Sequence, residues 1–203
     1  MMLQSVSLRC LIGIVLLCGS NVVAEPLRYK IESNHSTIGF SVPIFGGLSR
    51  VSGKFTDVEV EIIFDEEDLE ASSVSAVMQV SGIDTGIGMR DQDLQNEIFF
   101  NAQIHPEIRF ISEGVSRKSD GIYETRGNFT MRGVTREVVL PFELKVHRLD
   151  DGGRILGVKM RTELNRLDFG VGQGWKHTSM ENFLGDKIAV EIDLWTRTGK
   201  PIE

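Results

Sequence analysis

Apolar and polar side chains alternate with a period of two along most of the chain after residue 24. Between residues 57 and 64, for example, Val58, Val60, Ile62 and Phe64 alternate with a row that begins with the carboxylates Asp57, Glu59 and Glu61. This period puts one row of side chains in a core and the other in water, as in a half-buried β-strand. About nine such segments predict an all-β fold: one near Tyr29, then 37–42, 57–64, 74–80, 108–110, 123–129, 138–146, 158–164 and 188–194.

Turn-forming residues separate many of these segments, notably at 45–47, 119–121 and 150–153. Glycine and aspartate at such positions are typical of hairpins, so the sequence predicts an antiparallel meander. Strands with one apolar face must either stack as two sheets or close into a barrel, and closure removes both exposed edges. About eight strands in a barrel would enclose room for one slender ligand.

Two stretches depart from the alternation. Residues 90–100 place Leu94 and Ile98 one helical turn apart behind Asp91, which predicts a single short helix with Asp91 as its cap. Pro141 lies inside a predicted strand, and because it has no N–H to donate, it implies an edge or a bulge there.

The first 24 residues have the features of a secretory signal peptide. Arg9 precedes an apolar run from 11 to 17, and Val22 and Ala24 are small residues at a cleavage site. We therefore expect a leader at 1–24 and one mature domain at 25–203, exported to the periplasm. Both cysteines, Cys10 and Cys18, lie in this leader, so the mature domain has no thiol for a disulfide or a nucleophile.

Composition excludes several classes of partner. The formal net charge is −7 over 203 residues, and cleavage of the leader would remove one positive charge, Arg9, and leave the domain more acidic. An acidic surface repels phosphates and anionic headgroups, which argues against nucleic acid and against electrostatic docking on membranes. Transient membrane contact by other means and a homodimer both remain open.

The sequence lacks the usual motifs of catalysis and metal binding. His35 and Ser36 are neighbours in a predicted strand, so their side chains point to opposite faces and cannot form a dyad. The four histidines are not at ligand spacing, and the glycines of 170–175 lack the pattern of a nucleotide-binding loop. We therefore expect no catalytic residue, no metal site and no resident cofactor.

Eleven phenylalanines against two tyrosines and two tryptophans make the interior the most informative region. For any single phenylalanine, plain core packing is the simpler interpretation. Collectively, these residues and their large apolar neighbours would converge on one interior, which predicts an apolar ligand cavity lined by Phe40, Phe45, Phe55, Phe110, Phe129, Phe142, Met160, Phe169 and Trp175.

Six motifs in order resemble those of the YceI-like family of bacterial periplasmic proteins, over about residues 27–196. They are NHSTIGFSV, VSGKF, IDTG, FFNAQIHPEIRF, GNFTMRGVTREVVLPFEL and LNRLDFGVG. The resemblance implies an extended antiparallel lipocalin-like β-barrel of about eight strands. It also implies that the interior holds a long apolar molecule, typically a polyisoprenoid such as the tail of an isoprenoid quinone.

The resemblance also singles out polar positions. His35, Ser36, Arg166 and Asp168 match recurring polar residues of the family, whereas Asn34 stands where the family usually has aspartate. These residues would form either a structural network or a contact with the polar head of a ligand, because a buried charge normally needs a partner.

Three functions follow as hypotheses. The first is periplasmic binding of a polyisoprenoid or quinone-like lipid for sequestration or transport, without chemistry. The second is a stress-linked interaction protein whose barrel is filled by its own side chains. The third is an enzyme acting on the bound lipid, which would require His35, Arg166 and Asp168 to converge on the cavity.

Overall fold

The computed structural model describes residues 27–178, 180 and 182–198, so the predicted leader at 1–24 lies outside the described residues. The described chain is almost entirely antiparallel β-structure with one short α-helix. The elements are β1 (Leu27–Ile31), β2 (Thr37–Ile44), β3 (Ser49–Phe55), β4 (Val58–Phe64), β5 (Ser73–Gln79), β6 (Ile83–Asp84), α1 (Gly88–Gln95), β7 (Glu107–Ser119), β8 (Ile122–Met131), β9 (Val134–Arg148), β10 (Arg154–Asn165) and β11 (Lys187–Thr198).

The strands close into an eight-stranded antiparallel barrel. From β7 to β11, each strand pairs with the next along the chain, and β11 pairs back with β1 and β2. Closure satisfies the backbone groups that an open sheet would leave at its two edges. The structure therefore confirms the all-β prediction and selects the barrel over two stacked sheets.

Three of the eight positions in the barrel are occupied by interrupted strands. β1 and β2 both pair with β11, and the 3₁₀ turn Ser33–His35 separates them. β3 and β4 are divided at residues 56–57, and β5 and β6 are divided at 80–82. These breaks bend long strands, which lets a narrow barrel keep its curvature.

The predicted helix exists, but its predicted bounds were wrong. α1 begins at Gly88 and ends at Gln95, after which Phe100 donates its backbone N–H to the carbonyl of Leu94 at 3.0 Å in a tight turn. Asp91 does not cap the helix. Its carboxylate accepts the backbone N–H of Thr85 at 2.9 Å and fixes the loop before the helix.

The two ends of the barrel differ. At one end, Tyr29, Leu156 and Thr196 are fully buried among the hairpins. The other end is covered by α1, by the segment that follows α1 and by the segment that follows β10, residues 166–186, which pack over the strand ends. No helix among the described residues has the length and apolar character needed to cross a membrane.

Candidate functional site: the barrel cavity

A cavity of about 720 Å³ runs along the inside of the barrel. This volume lies within the range of small-molecule binding sites in proteins. Inward-facing apolar side chains of both barrel ends line it, from Phe64 and Leu156 to Leu164 and Trp175. The alternation therefore builds a wall around empty space, because the inward row of each strand does not reach the barrel axis.

Most residues predicted to line the interior do so. The side chains in the wall of the cavity include Phe40, Phe55, Phe110, Phe129, Phe142, Met160 and Trp175. They come from strands on all sides of the barrel and from the segment after β10. A ligand in the cavity would contact aromatic rings along much of its length.

Phe45 and Phe169 do not line the cavity, which corrects the prediction for both. Phe45 begins the hairpin tip after β2, has a positive φ of 54° and is 43% exposed, with its ring edge-on to Phe183 at 4.5 Å. Phe169 is buried in the turn Arg166–Phe169, edge-on to Phe129 at 5.4 Å. Both lie past strand ends, where the two-residue period no longer sets the direction of a side chain.

The sequence analysis predicted Trp175 in the cavity wall but missed the other rings that surround it at the covered end. Phe183 lies at the centre of this group: it stacks on His177 at 4.1 Å and tilts towards Trp175 at 5.9 Å. Trp175 in turn approaches Phe99 at 6.0 Å. Phe99, Trp175 and Phe183 all line the cavity. These residues come from loops, and the only sequence signal for them was aromatic content.

Arg166 is buried, and all five of its guanidinium N–H groups donate to the protein. Nε and both terminal nitrogens bond four backbone carbonyls and one carboxylate: those of Gly185 at 2.9 Å, Val171 at 2.8 Å, Gly172 at 3.0 Å, Leu184 at 3.4 Å and Asp186 at 2.8 Å. Burial lowers the pKa of Arg166, and the charge of Asp186 offsets part of that effect. Because a guanidinium has five donors, none remains for a ligand, and Arg166 joins the two halves of the segment that covers the barrel.

His35 and Ser36 lie on the outside of the wall. The Ser36 hydroxyl accepts the backbone N–H of Trp195 at 2.9 Å and donates to its carbonyl at 3.2 Å, and the ring of His35 is edge-on to that indole at 4.3 Å. Leu194 lines the cavity, so its neighbour Trp195 points outward. Ser36 thus replaces the ladder bonds that are lost at the break between β1 and β2.

The three residues that an enzyme mechanism would need are not assembled. Arg166 contacts Asp186 at the start of β11, whereas His35 contacts Trp195 near its other end, roughly 30 Å away at about 3.3 Å per residue. Asp168 is exposed, and its backbone carbonyl accepts a hydrogen bond from Arg136. The polar residues singled out by the sequence therefore occupy separate places, and only Arg166 reaches the cavity wall.

The family model described as YceI-like domain matches residues 29–195, which is nearly all of the barrel. The chain belongs to the YceI-like family. Curated relatives of this YceI-like chain carry the name UPF0312 protein. One from Photorhabdus laumondii is 30% identical over 169 residues, covering 83% of this chain and 87% of the relative. One from Yersinia enterocolitica is 29% identical over 161 residues, covering 79% and 83%.

Solved structures share the fold of this YceI-like barrel. BcnA of Burkholderia cenocepacia superposes with a TM-score of 0.68 at 20% identity, covering 81% of this chain and 98% of its own. The YceI protein of Campylobacter jejuni gives 0.67 at 23%, covering 75% and 88%. A polyisoprenoid binding domain from Saccharophagus degradans gives 0.65 at 13%, covering 85% and 99%.

Proposed function

We propose that this chain binds a long apolar lipid of the polyisoprenoid class in its barrel cavity, and that it sequesters or carries that lipid through the periplasm. The observation that supports this most is the apolar cavity that runs between the two ends of the barrel. The fold shared with a polyisoprenoid binding domain favours the same class of ligand. The leader at 1–24 favours export, and periplasmic localisation is part of the proposal.

The shape of the cavity favours a ligand whose hydrocarbon chain is extended. β11 has 12 residues, so a barrel with strands tilted by about 40° is on the order of 30 Å long. The residues that line the cavity come from both ends of the barrel, so the cavity is a slot elongated along the barrel axis. A single hydrocarbon chain fits such a slot better than a fused ring system or a folded tail.

The energetics favour a carrier over a permanent store. Removing one isoprene unit from water gains roughly 3 to 4 kcal/mol at about 0.8 kcal/mol per carbon, less the cost of ordering the chain. In a cell, the membrane already offers nearly all of that gain. Transfer from bilayer to barrel is therefore close to balanced and depends on packing against the cavity wall.

The alternative of a filled barrel makes a different prediction about the interior. It requires the protein's own rings to occupy the space, and a cavity of 720 Å³ counts against it. An enzyme acting on the lipid would need a reactive cluster at the cavity, and His35 and Arg166 are far apart. Both observations therefore favour lipid binding over these two alternatives.

Tryptophan fluorescence gives a direct test, because Trp175 lines the cavity whereas Trp195 lies outside it. We expect polyisoprenoids that carry a quenching group to reduce the emission of Trp175, with affinity rising per isoprene unit until the cavity is full. The Trp175→Phe variant, which keeps Trp195, should lose the signal. Affinity that does not depend on chain length, or equal quenching in both proteins, would refute the proposal.

A further inference from the structure

The ladder between β9 and β10 stops halfway along the barrel. The two strands pair from Arg148 and Arg154 up to Glu143 and Lys159, and no further. Beyond that point, residues 134–142 of β9 pair only with β8, and residues 160–165 of β10 pair only with β11. The two strands therefore separate in the half of the barrel nearer the covered end.

Pro141 lies at the start of this separation. Leu144 donates its backbone N–H to Gly121 at 3.1 Å, which is on the β8 side of β9. Because N–H groups alternate in direction along a strand, the nitrogen of Pro141 faces β10. It has no hydrogen to donate, so the ladder cannot continue there. The edge position expected from the sequence at Pro141 is confirmed, and it is an edge towards β10 alone.

A groove of about 220 Å³ lies at the same point and reaches into the wall. On its outer side are Pro141 and charged residues of β9, β10 and β11. On its inner side are Phe142, Met160 and Ile192, and these three also line the main cavity. These three side chains therefore lie between the groove and the cavity.

The separation is bounded at both ends. Towards the middle of the barrel it ends at the Glu143–Lys159 pair. Towards the covered end, Arg136 of β9 donates to the backbone carbonyl of Asp168, just after β10, at 3.3 Å. Val138, Leu140, Thr162 and Leu164 lie along the two sides of the gap, and all of them line the cavity. The inward-facing row on both sides of the gap is therefore mainly apolar.

Both positively charged residues at the groove are paired. Lys159 lies 3.3 Å from Asp193, and Arg161 is hydrogen-bonded to Glu191. No single sign of charge dominates, so the groove is not built to hold an anion. An apolar chain could pass between such residues without leaving a buried charge unpaired.

We propose that the gap between β9 and β10 is a lateral portal through which the apolar ligand enters and leaves the cavity, with Phe142 and Met160 as the residues that narrow it. The proposal rests on the proposed function, since a portal requires a ligand. It also follows from the ends of the barrel: one is filled by buried side chains, and the other is covered by the segment that Arg166 holds in place. Along the gap, no hydrogen bonds of the β9–β10 ladder have to break.

Cross-linking tests the portal, because residues 25–203 contain no native cysteine. Extending the β9–β10 register places Val139 opposite Glu163 across the gap, and both residues are exposed. The Val139→Cys/Glu163→Cys variant would be loaded with the quenching polyisoprenoid, treated with a bifunctional maleimide and mixed with lipid vesicles. The matched control is His147→Cys/Ile155→Cys, which lies in the paired part of the same ladder.

We expect the link across the gap to slow release to vesicles by about tenfold or more, as for a closed access route, while the control keeps the wild-type rate. Release at the wild-type rate from the gap-linked protein would overturn the portal and indicate exit through the covered end. Wild-type protein that never takes up the polyisoprenoid would contradict the proposed function and, with it, the portal.

Discussion

The ring of Phe40 lies against Gly53, its partner across the β2–β3 ladder, so closely that a Cβ on Gly53 would be 2.5 Å from Cζ of the ring. The same Cβ would be 2.9 Å from Cγ2 of Thr85. The glycine thus leaves room for an aromatic ring in the cavity wall. The close contact with Phe40 explains why position 53, in the glycine-rich stretch from 46 to 53, is a glycine.

We therefore expect Gly53→Ala to lower the free energy of unfolding by about 1 to 3 kcal/mol, because the added methyl group overpacks the wall. Urea denaturation measures this change. Gly39→Ala in β2 is the matched control, since its Cβ would have no neighbour nearer than 3.6 Å. Adding Phe40→Leu should restore part of the loss, and purely additive losses would contradict the proposed contact.

Arg166→Lys should destabilise the barrel strongly, although it keeps the charge. Lysine cannot reach the five acceptors that the guanidinium satisfies, and carbonyls left unpaired at a buried site are costly. We expect a loss of about 3 kcal/mol or more in the free energy of unfolding, because each buried carbonyl left without a donor costs about 1 to 3 kcal/mol. Arg161→Lys is the control, because that ion pair is exposed and is expected to contribute less than about 1 kcal/mol. Equal losses in both variants would show that Arg166 does not hold the covering segment.

Phe129 and Phe169 contact each other, but only Phe129 lines the cavity. Replacing Phe169 with alanine should lower stability by about 3 to 5 kcal/mol and leave polyisoprenoid affinity nearly unchanged. Replacing Phe129 with alanine should also lower the affinity, because it removes a ring from the ligand surface. Denaturation and Trp175 quenching on the same two variants measure both quantities. An equal loss of affinity in both would place Phe169 at the ligand after all.

Tyr29 should make stability fall at alkaline pH. Burial raises the pKa of its phenol above the ordinary value of 10.0, and the positive charge of Arg154 offsets only part of that effect. Since the folded pKa is the higher one, this contribution to stability is complete below pH 10 and is lost as the pH rises through the folded pKa.

The Tyr29→Phe variant should remove this alkaline loss, and it should cost little at neutral pH, because the Tyr29 hydroxyl has no hydrogen-bond partner among the described residues. Thermal unfolding measured from pH 8 to alkaline pH tests this. The control is Tyr123→Phe, which removes a hydroxyl bonded to Arg117 and leaves Tyr29 in place. If the Tyr29→Phe variant lost as much stability at alkaline pH as the wild type, the loss would come from other groups.

The barrel could be predicted from the sequence because alternation is a local signal. A strand such as β4 shows its inward row directly, with Val60, Ile62 and Phe64 buried. The gap in the wall was signalled by Pro141 alone, which indicated an edge or a bulge but not which neighbouring strand would be left unpaired.

Other features depended on contacts distant in sequence. Phe45 and Phe169 were placed wrongly because turns after the strands redirect them. Arg166 was singled out as a polar residue of a structural network or a ligand contact, yet its partners at 171–172 and 184–186 lie in loops without a period. The bounds of α1 were also missed, since Asp91 bonds the preceding loop instead of the helix terminus.

Native mass spectrometry of protein purified from its native cells tests most directly whether the cavity holds a long apolar molecule. The comparison protein is the Val158→Trp variant, in which an indole replaces a small side chain of the cavity wall and fills part of the cavity. We predict that the wild type carries one bound molecule, that solvent extraction identifies it as a long apolar chain, and that the folded variant has lost it. Wild-type protein without any such molecule, and with no gain in melting temperature when a polyisoprenoid is added, would contradict the account.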